Sequence, residues 1–272
     1  MLKTAGSVAA ISILGGIPLS VSAKDKVAKV SRRNRKKIMV IGAHPDDPET
    51  AAGGTMCLLS DAGHEVVSVY LTRGEAGIKG KSHDEAAAIR EAEAKAACEV
   101  TGARALFLSQ IDGSTEVNRN RYQEMREMLE REKPDVVITH WPIDGHRDHA
   151  VCGILVMLNV FWSLRQPGLT LAGDAACGIL VLDSWRRLGR CFDLYYFEVM
   201  TGTQTQMFHP TDFVDITTTR ERKHQACYCH ASQKLQSVMD DWHIPMEQFR
   251  GIECRCKAAE AFARHVEPGS IV

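Results

Sequence analysis

The sequence lacks several patterns that assign proteins to common classes. Its nine cysteines include no Cys-x-x-Cys pair, the spacing typical of zinc fingers and thiol redox centres. It contains no internal repeat, and its net charge is only −1. Because nucleic-acid binding needs a basic face, this charge balance argues against nucleic acid as the main partner.

The N-terminus lacks the arginine pair of a twin-arginine signal, although it resembles the part that follows such a pair. A basic start is followed by an apolar, small-residue stretch and an Ala-x-Ala-like end, which predicts a secretory signal over residues 1–23. The alternative is a loosely packed N-terminal arm. The stretch is marginal as a membrane span, so no stable span is expected in the mature chain. Residues 24–36 are rich in Lys and Arg and are predicted to be a solvated linker before a single domain at 37–272.

The number of unpaired cysteines favours a reducing compartment, whereas the N-terminal pattern favours export. Cys57, Cys98 and Cys152 fall in predicted helices and are expected to be small core residues. Two Cys-x-Cys pairs could form a disulfide or a second metal site: Cys227 with Cys229, and Cys254 with Cys256. Many unpaired thiols fit a reducing compartment. A periplasmic or secreted location is nevertheless expected, because three features of the N-terminus agree; without a signal, the chain would be cytoplasmic.

Apolar runs and helical patterns alternate four times between residues 37 and 162. Strands are predicted at 37–43, 65–72, 104–108 and 135–139, and helices at 50–63, 84–102, 118–132 and 149–162. This alternation predicts an α/β fold with a Rossmann-like, doubly wound and mostly parallel sheet, covered by helices on both faces. In the order 3-2-1-4-5, the first and fourth strands are neighbours.

The C-terminal third is less regular. Strands are predicted at 191–199 and 213–216 and helices at 219–239 and 256–265, whereas residues 166–189 show no clear element.

Two polar clusters each follow a predicted strand. His44, Asp46 and Asp47 come directly after the first strand, and Pro45 keeps His44 out of helical geometry. Zinc binds imidazole and carboxylate together at about 2.0–2.2 Å. The alternative interpretation is a polar loop with an Asp helix cap. The second cluster, His140–His149, holds three His and two Asp in ten residues after the fourth strand. Neighbouring strand ends should bring the two clusters into one site.

The two clusters resemble the motifs of the LmbE/PIG-L family of zinc-dependent N-acetylglucosaminyl de-N-acetylases. The similarity covers roughly residues 37–265, and one departure is Pro48, which separates Asp47 from Glu49. The matching segments are Ala43–Asp47 with Gly53–Thr55, His146–His149, Thr72–Glu75, Arg90-Glu91, Asp112-Gly113 and His230–Gln233. The resemblance implies a Rossmann-like hydrolase of N-acetylglucosamine-type amides.

The resemblance also implies residue roles. One zinc per chain is expected on His44, Asp47 and His149, with an open position for the attacking water. Asp46 matches the general base. His146 matches the residue that stabilises the oxyanion or protonates the leaving amine, and Asp148 is expected to orient His146 and hold it protonated.

Substrate contacts are expected from Arg90 and Asp112, which match positions near a sugar ring. The alternatives are a surface helix salt bridge for Arg90 and a turn residue for Asp112. Supporting roles are expected for His140, Asp144 and His230. The partner would be an N-acetylated sugar or glycoconjugate, and a homo-oligomer is compatible with the sequence. Two other functions stay open: a metal-dependent phosphoesterase, and a non-catalytic carbohydrate-binding relative.

Overall fold

The structure is a computed structural model that describes residues 29–159 and 192–265, with the backbone of two short paired strands, Ile11–Ile13 and Ile17–Leu19. Apart from those strands, the expected signal at 1–23 lies outside the described residues. So does the unassigned segment 166–189.

The expected linker is described from residue 29 and forms an exposed 3-10 turn at Arg32–Asn34. Among the helices that the structure describes, none has both the length and the apolar composition to cross a bilayer.

A seven-stranded sheet forms the centre of the described chain. Its strands are β1 (Lys37–Gly42), β2 (Glu65–Thr72), β3 (Arg104–Gln110), β4 (Val136–His140), β5 (Asp193–Phe197), β6 (Asp212–Asp215) and β7 (Ala259–Arg264). Their spatial order is β3-β2-β1-β4-β5-β7-β6. The first five are parallel, and β7 is antiparallel to both of its neighbours. The predicted order 3-2-1-4-5 is therefore confirmed.

Helices cover both faces of this sheet. They are α1 (Asp47–Asp61), α2 (His83–Thr101), α3 (Arg119–Glu132), α4 (Arg147–Asn159), α5 (Arg220–Tyr228), α6 (Leu235–Val238) and α7 (Ile244–Cys254). Alternate residues of β1 point to opposite faces, so Val40 packs in one core with Met56 of α1. Its neighbour Ile41 packs in a second core with Met125 of α3 and Leu155 of α4. The predicted two-sided architecture is confirmed.

Two predictions for the C-terminal part are wrong. Residues 256–265 were expected to form a helix, but Ala259–Arg264 is strand β7, inserted between β5 and β6. The alanine-rich run has high helix propensity, yet pairing with two strands and burial of Phe262 outweigh it.

The helix predicted at 219–239 ends at Tyr228. A 3-10 turn at Ala231–Gln233 follows, where Glu93 accepts hydrogen bonds from the backbone N–H and the hydroxyl of Ser232. Helix α7 was not predicted from the sequence.

The sheet topology places both polar clusters at one edge. Ile41 of β1 is paired with Thr139 of β4, whose hydroxyl donates to the Ile41 carbonyl at 2.9 Å. The loops that follow these strands therefore start side by side, at the point where the strand order reverses. The predicted meeting of the two clusters is confirmed.

Candidate active site

The loop between β1 and α1 is held in a tight conformation. A Cβ atom on Gly42 would lie 2.6 Å from Cδ of Pro48 and 2.7 Å from Cβ of Asp47, so only glycine allows this approach. Asp46 has a φ of +129°, a region that residues with side chains rarely adopt. Such strain persists where the surroundings impose it and is frequent at functional sites. Pro48 lies in the first turn of α1, where its missing N–H costs no helical hydrogen bond.

His44, Asp47 and His149 approach one another as a set of metal donors would. Nδ1 of His44 lies 3.3 Å from Oδ2 of Asp47, and Nε2 of His149 lies 3.3 Å from Oδ1 of the same carboxylate. The ring centroids of His44 and His149 are 5.3 Å apart. Bonds of about 2.0–2.2 Å in a tetrahedron separate the donor atoms by roughly 3.3–3.6 Å. The two contacts to Asp47 therefore have the separation expected between ligands of one ion, although they use different oxygens of its carboxylate.

The same region offers other combinations of donors. The triads whose donor atoms lie within 4.8 Å of one another are His44 with His146 and His149, Asp47 with His140 and His149, and His44 with Asp112 and Asp148. His44 and His149 take part in two triads each, and the expected set of His44, Asp47 and His149 is not itself one of these triads. The fourth expected neighbour, His146, is exposed, and its ring stacks on His149 at 4.5 Å.

Buried polar groups hold Asp47 and His149 in place. Nε2 of His140 lies 3.2 Å from Oδ2 of Asp47 and accepts from the Ala43 N–H. On the far side of His149, Nδ1 lies 3.3 Å from Asp144 and 2.9 Å from the amide of Gln204. Burial alone would lower the pKa of His149, but the charge of Asp47 and the bond to Asp144 raise it to about 9. The expected supporting roles of His140 and Asp144 agree with this geometry.

Asp148 contacts a different histidine from the expected one. Its carboxylate lies 3.2 Å from Nε2 of His44 and accepts from the Gly113 N–H and the Thr115 hydroxyl, each at 2.7 Å. Burial would raise the pKa of Asp148, but these hydrogen bonds hold it well below its ordinary value. Asp148 is buried and His146 is exposed, and the imidazole that the Asp148 carboxylate contacts is that of His44, where the sequence indicated His146.

The pKa of His146 is lowered. Partial burial is the main cause, followed by the charges of His149 and His44, while the charges of Asp47 and Asp148 act in the opposite direction. Its ring meets His44 edge-on at a centroid distance of 4.8 Å. His146 therefore lies beside the donor set as an imidazole that can point an N–H into the cleft.

Asp46 is paired with Arg90, which is 3% exposed. Nη2 of Arg90 lies 3.2 Å from Oδ2 of Asp46 and also donates to the Pro45 carbonyl. Burial raises the pKa of Asp46, against the lowering effect of the Arg90 charge. Gly74 and Gly77 cover the guanidinium; a Cβ on Gly77 would lie 2.5 Å from Nη1. The surface salt bridge considered for Arg90 is excluded, and its main contact is the candidate base.

Asp112 lies in the same cleft. Its carboxylate is 3.2 Å from Nε2 of His44 and accepts from the Ala76 N–H at 3.1 Å. Burial would raise the pKa of Asp112, but the bond to His44 lowers it. All eight residues predicted for the site are thus in one place, although Arg90 and Asp148 have partners that the sequence did not indicate.

The cleft has a volume of about 260 Å³ and a wall that the sequence did not predict. This wall consists of Val199, Met200, Gln204, Gln233, Leu235, Val238 and His243. Only Gln233 belonged to a recognised motif. The others come from the connection after β5 and from the α6–α7 region, which carry no pattern that connects them to a metal site.

A buried pair supports the floor of the site. Glu49 and His230 are fully buried, with Oε2 and Nε2 3.3 Å apart. Glu49 also accepts from the hydroxyl of Tyr70 at 2.7 Å. His230 therefore has the supporting role expected of it, beneath the loop that carries Asp46.

Comparisons with known proteins agree with this geometry. Residues 39–159 match the PIG-L family, described as GlcNAc-PI de-N-acetylase. The chain is 28% identical over 214 residues to a diacetylchitobiose deacetylase from Thermococcus kodakarensis, covering 76% of this chain and 73% of the relative. It is 32% identical over 134 residues to a probable N-acetyl-alpha-D-glucosaminyl L-malate deacetylase 2 from Bacillus cereus, covering 46% of this chain and 61% of the relative.

A further relative has a different activity. A 4-oxalmesaconate hydratase from Pseudomonas putida is 23% identical over 251 residues, covering 87% of this chain and 89% of the relative. Among solved structures, an N,N'-diacetylchitobiose deacetylase from Pyrococcus horikoshii matches with a TM-score of 0.69 and 25% identity, covering 88% of this chain and 89% of that one. Residues 39–159, which carry both metal-site motifs at the predicted edge of the sheet, thus match the PIG-L (LmbE-like) family model.

Proposed function

We propose that the chain is a zinc-dependent hydrolase, with one zinc per chain, that removes the acetyl group from an N-acetylglucosamine-type amide. The observation that carries this proposal is the position of Asp46, a carboxylate that is held by Arg90 and lines the same cleft as the donor set. A binding protein would need the donors but not this base. The deacetylase names of two relatives support the substrate class.

His44, Asp47 and His149 would hold the ion. A divalent ion in this position lowers the pKa of a bound water and polarises the amide carbonyl. Asp148 and Asp144 orient the two imidazoles from behind, as carboxylates do for metal-binding histidines.

The chain's own groups would move the protons. Asp46 accepts the proton of the attacking water, because its carboxylate lines the cleft while Arg90 fixes its orientation. His146 would donate an N–H to the carbonyl oxygen or, after taking up a proton, would protonate the leaving amine. Both roles need His146 close to the metal donors, and its ring centroid lies 4.8 Å from that of His44.

The remaining cleft wall suits an uncharged sugar. Asp112 and the amide of Gln233 can bond hydroxyls, and Met200 and Leu235 offer an apolar surface. Among the described residues that line the cleft, Arg90 is the only permanent cation, and its charge is already paired with Asp46. Arg90 is therefore assigned to positioning of the base, with sugar contact as a lesser role.

The test is acetate release from N-acetylglucosamine, N,N'-diacetylchitobiose and related glycoconjugates, with and without chelator. Acetate release that stops with chelator and returns with zinc is the expected result. Failure of the zinc-loaded chain on every N-acetylated sugar would contradict the proposal.

Metal content per chain distinguishes the deacetylase from a two-metal phosphoesterase, because a two-metal site needs extra bridging ligands. About one ion per chain is expected, and about two ions would favour the phosphoesterase.

A hydratase is the second candidate, because the hydratase relative covers more of the chain than either deacetylase relative. Both reactions add water, but the hydratase substrate is a polycarboxylate, for which the described cleft has no unpaired permanent cation. Assay of 4-oxalmesaconate hydration with the same zinc-loaded chain separates the two. Hydration without acetate release would replace the deacetylase proposal.

A further inference from the structure

The turn between α7 and β7 brings two cysteines together, outside the residues that line the cleft. Cys254 is the last residue of α7, and Cys256 lies two positions later. Both side chains are half-buried and reduced, with their Sγ atoms 3.3 Å apart. The two sulfurs are therefore neighbours, about 1.2 Å further apart than in a disulfide bond of about 2.05 Å.

The backbone fixes this arrangement. Arg255, between the two cysteines, has a φ of +62°, and the Cys256 N–H donates to the Gly251 carbonyl at 2.9 Å. A Cβ on Gly251 would lie 2.8 Å from the Cys256 carbonyl oxygen, so the turn packs directly on the helix backbone. The left-handed residue places the side chains before and after it on the same side. The two thiols are therefore already adjacent in the reduced chain.

We propose that Cys254 and Cys256 form a reversible disulfide by exchange with a small-molecule disulfide such as glutathione disulfide. The Cys254 thiolate attacks one sulfur, which releases one thiol and leaves a mixed disulfide on Cys254. The Cys256 thiolate then attacks Sγ of Cys254 and releases the second thiol. Two protein thiols and one small disulfide become one protein disulfide and two small thiols, so the chain loses two hydrogens.

The order of attack follows from the surroundings of Cys256. Burial, together with Cys254 and Asp215 beside it, raises the pKa of the Cys256 thiol. The Cys256 thiol also donates to the Ala258 carbonyl at 3.2 Å, closer than the 3.9 Å between Cys254 and the Gly251 carbonyl, so the first attack is assigned to Cys254 and ring closure to Cys256. The other described Cys-x-Cys pair differs, since Cys227 is fully buried.

The sequence around the pair permits a direct test on the full chain. The reduced protein is incubated with glutathione disulfide at a mildly alkaline pH, alkylated, and digested with trypsin without reduction. Trypsin cuts after Arg250, Arg255 and Lys257, so it separates the two cysteines. The expected digest product is the peptide Gly251–Arg255 joined by a disulfide to Cys256–Lys257. Before digestion, the mass of the intact chain should be lower by about 2 Da, for one disulfide.

Three single variants complete the test. Cys254→Ser and Cys256→Ser should each abolish the joined peptide, whereas the matched control Cys229→Ser should leave it unchanged. Recovery of both peptides as free thiols or as separate glutathione adducts would overturn the proposal, as would either cysteine joined to another site. Because disulfides persist in oxidising compartments, an exported chain should carry this bond and a cytosolic one should not.

Discussion

At the residue scale, substitution of Asp46 tests catalysis separately from metal binding. Asp46→Asn removes the basic oxygen but keeps the size of the side chain, and Arg90 can still donate to the amide oxygen. We expect the variant to bind zinc as the parent does and to lose activity by about 10²–10⁴-fold, the usual contribution of a positioned base. The measurements are kcat for acetate release and zinc content per chain.

The matched control is Asp84→Asn, which changes an aspartate whose side chain is 98% exposed. It should leave both kcat and zinc content unchanged. Parent-like kcat in the Asp46 variant would show that another group takes the proton.

Histidine substitutions decide which donor triad holds the ion. His149→Ala should release zinc, because the Nε2 atom that faces Asp47 across the proposed ion site is removed. His146→Ala should keep zinc and lose activity if Asp47 completes the set, as we propose. Loss of zinc from the His146 variant would instead identify the triad of three histidines. Zinc content after dialysis against a weak chelator distinguishes these outcomes.

Asp144 is a positioning residue that acts through His149. Its carboxylate accepts hydrogen bonds from the Thr205 hydroxyl and from the backbone N–H of His146, each at 2.8 Å, and it faces Nδ1 of His149. We expect Asp144→Asn to weaken metal binding by about 10–100-fold, the usual effect of losing such a partner. The readout is the dissociation constant for Co²⁺, followed by its absorption spectrum. A Co²⁺ affinity equal to that of the parent would show that Gln204 alone orients the ring.

At the scale of elements, the sequence determined the half of the site that lies on the parallel sheet. Strands β1 and β4 are continuous apolar runs, and the polar clusters follow them directly, so a standard strand order was enough to bring His44 and His149 together. Contacts between individual side chains were harder to predict from the sequence. Asp148 is two residues from His146 in sequence, but the first turn of α4 points it beneath His44 instead.

The other half of the cleft is formed by segments in which the hydrophobic residues show no clear helical or strand periodicity. The helix predicted at 219–239 breaks because Ser232 bonds to Glu93, a contact between distant parts of the chain. The strand β7 has a helical composition, and its buried Glu260 accepts from the Gly54 and Thr55 N–H groups of α1 at 2.9 and 2.8 Å. Long-range contacts of this kind leave no local signal.

A buried ionic cluster joins α5 to α7 and predicts a specific response to acid. Glu247, which is 2% exposed, faces His224 at 2.9 Å, Lys223 at 3.6 Å and Arg220. Burial would raise the pKa of Glu247, but these partners lower it to about 2. A carboxylate with a depressed folded-state pKa stabilises the fold above its unfolded pKa of about 4.3, and this contribution is lost as the pH falls towards about 2.

We therefore expect Glu247→Gln to be less stable than the parent at pH 6, by about 3 kcal/mol for a shift of this size. The difference should shrink as the pH falls from about 4 to about 2, because the parent then loses the same charge. Urea midpoints of the metal-free chains across this pH range provide the measurement. A difference that stays constant with pH would show that Glu247 contributes packing but not charge.

At the scale of the whole molecule, the proposed ion connects the two loops that meet at the reversal of strand order. His44 and Asp47 belong to the loop and helix after β1, and His149 to the helix after β4, so the ion would cross-link the sheet at its centre. An ion that binds only the folded chain stabilises it by about 2.7 kcal/mol at a free concentration of 100 times its Kd. For a domain of this size, each kcal/mol raises Tm by about 2–4 °C.

Removal of the metal should therefore lower Tm by about 5–10 °C, and zinc should restore it. Scanning calorimetry of the parent with chelator and with excess zinc measures this difference. His149→Ala should melt at one temperature under both conditions, since its donor set is broken, whereas Asp46→Asn should shift as the parent does. If the Tm of the parent changed with neither chelator nor zinc, the two loops would be stable without an ion. The carboxylate–imidazole contacts around His44 and His149 would then be sufficient to hold them together.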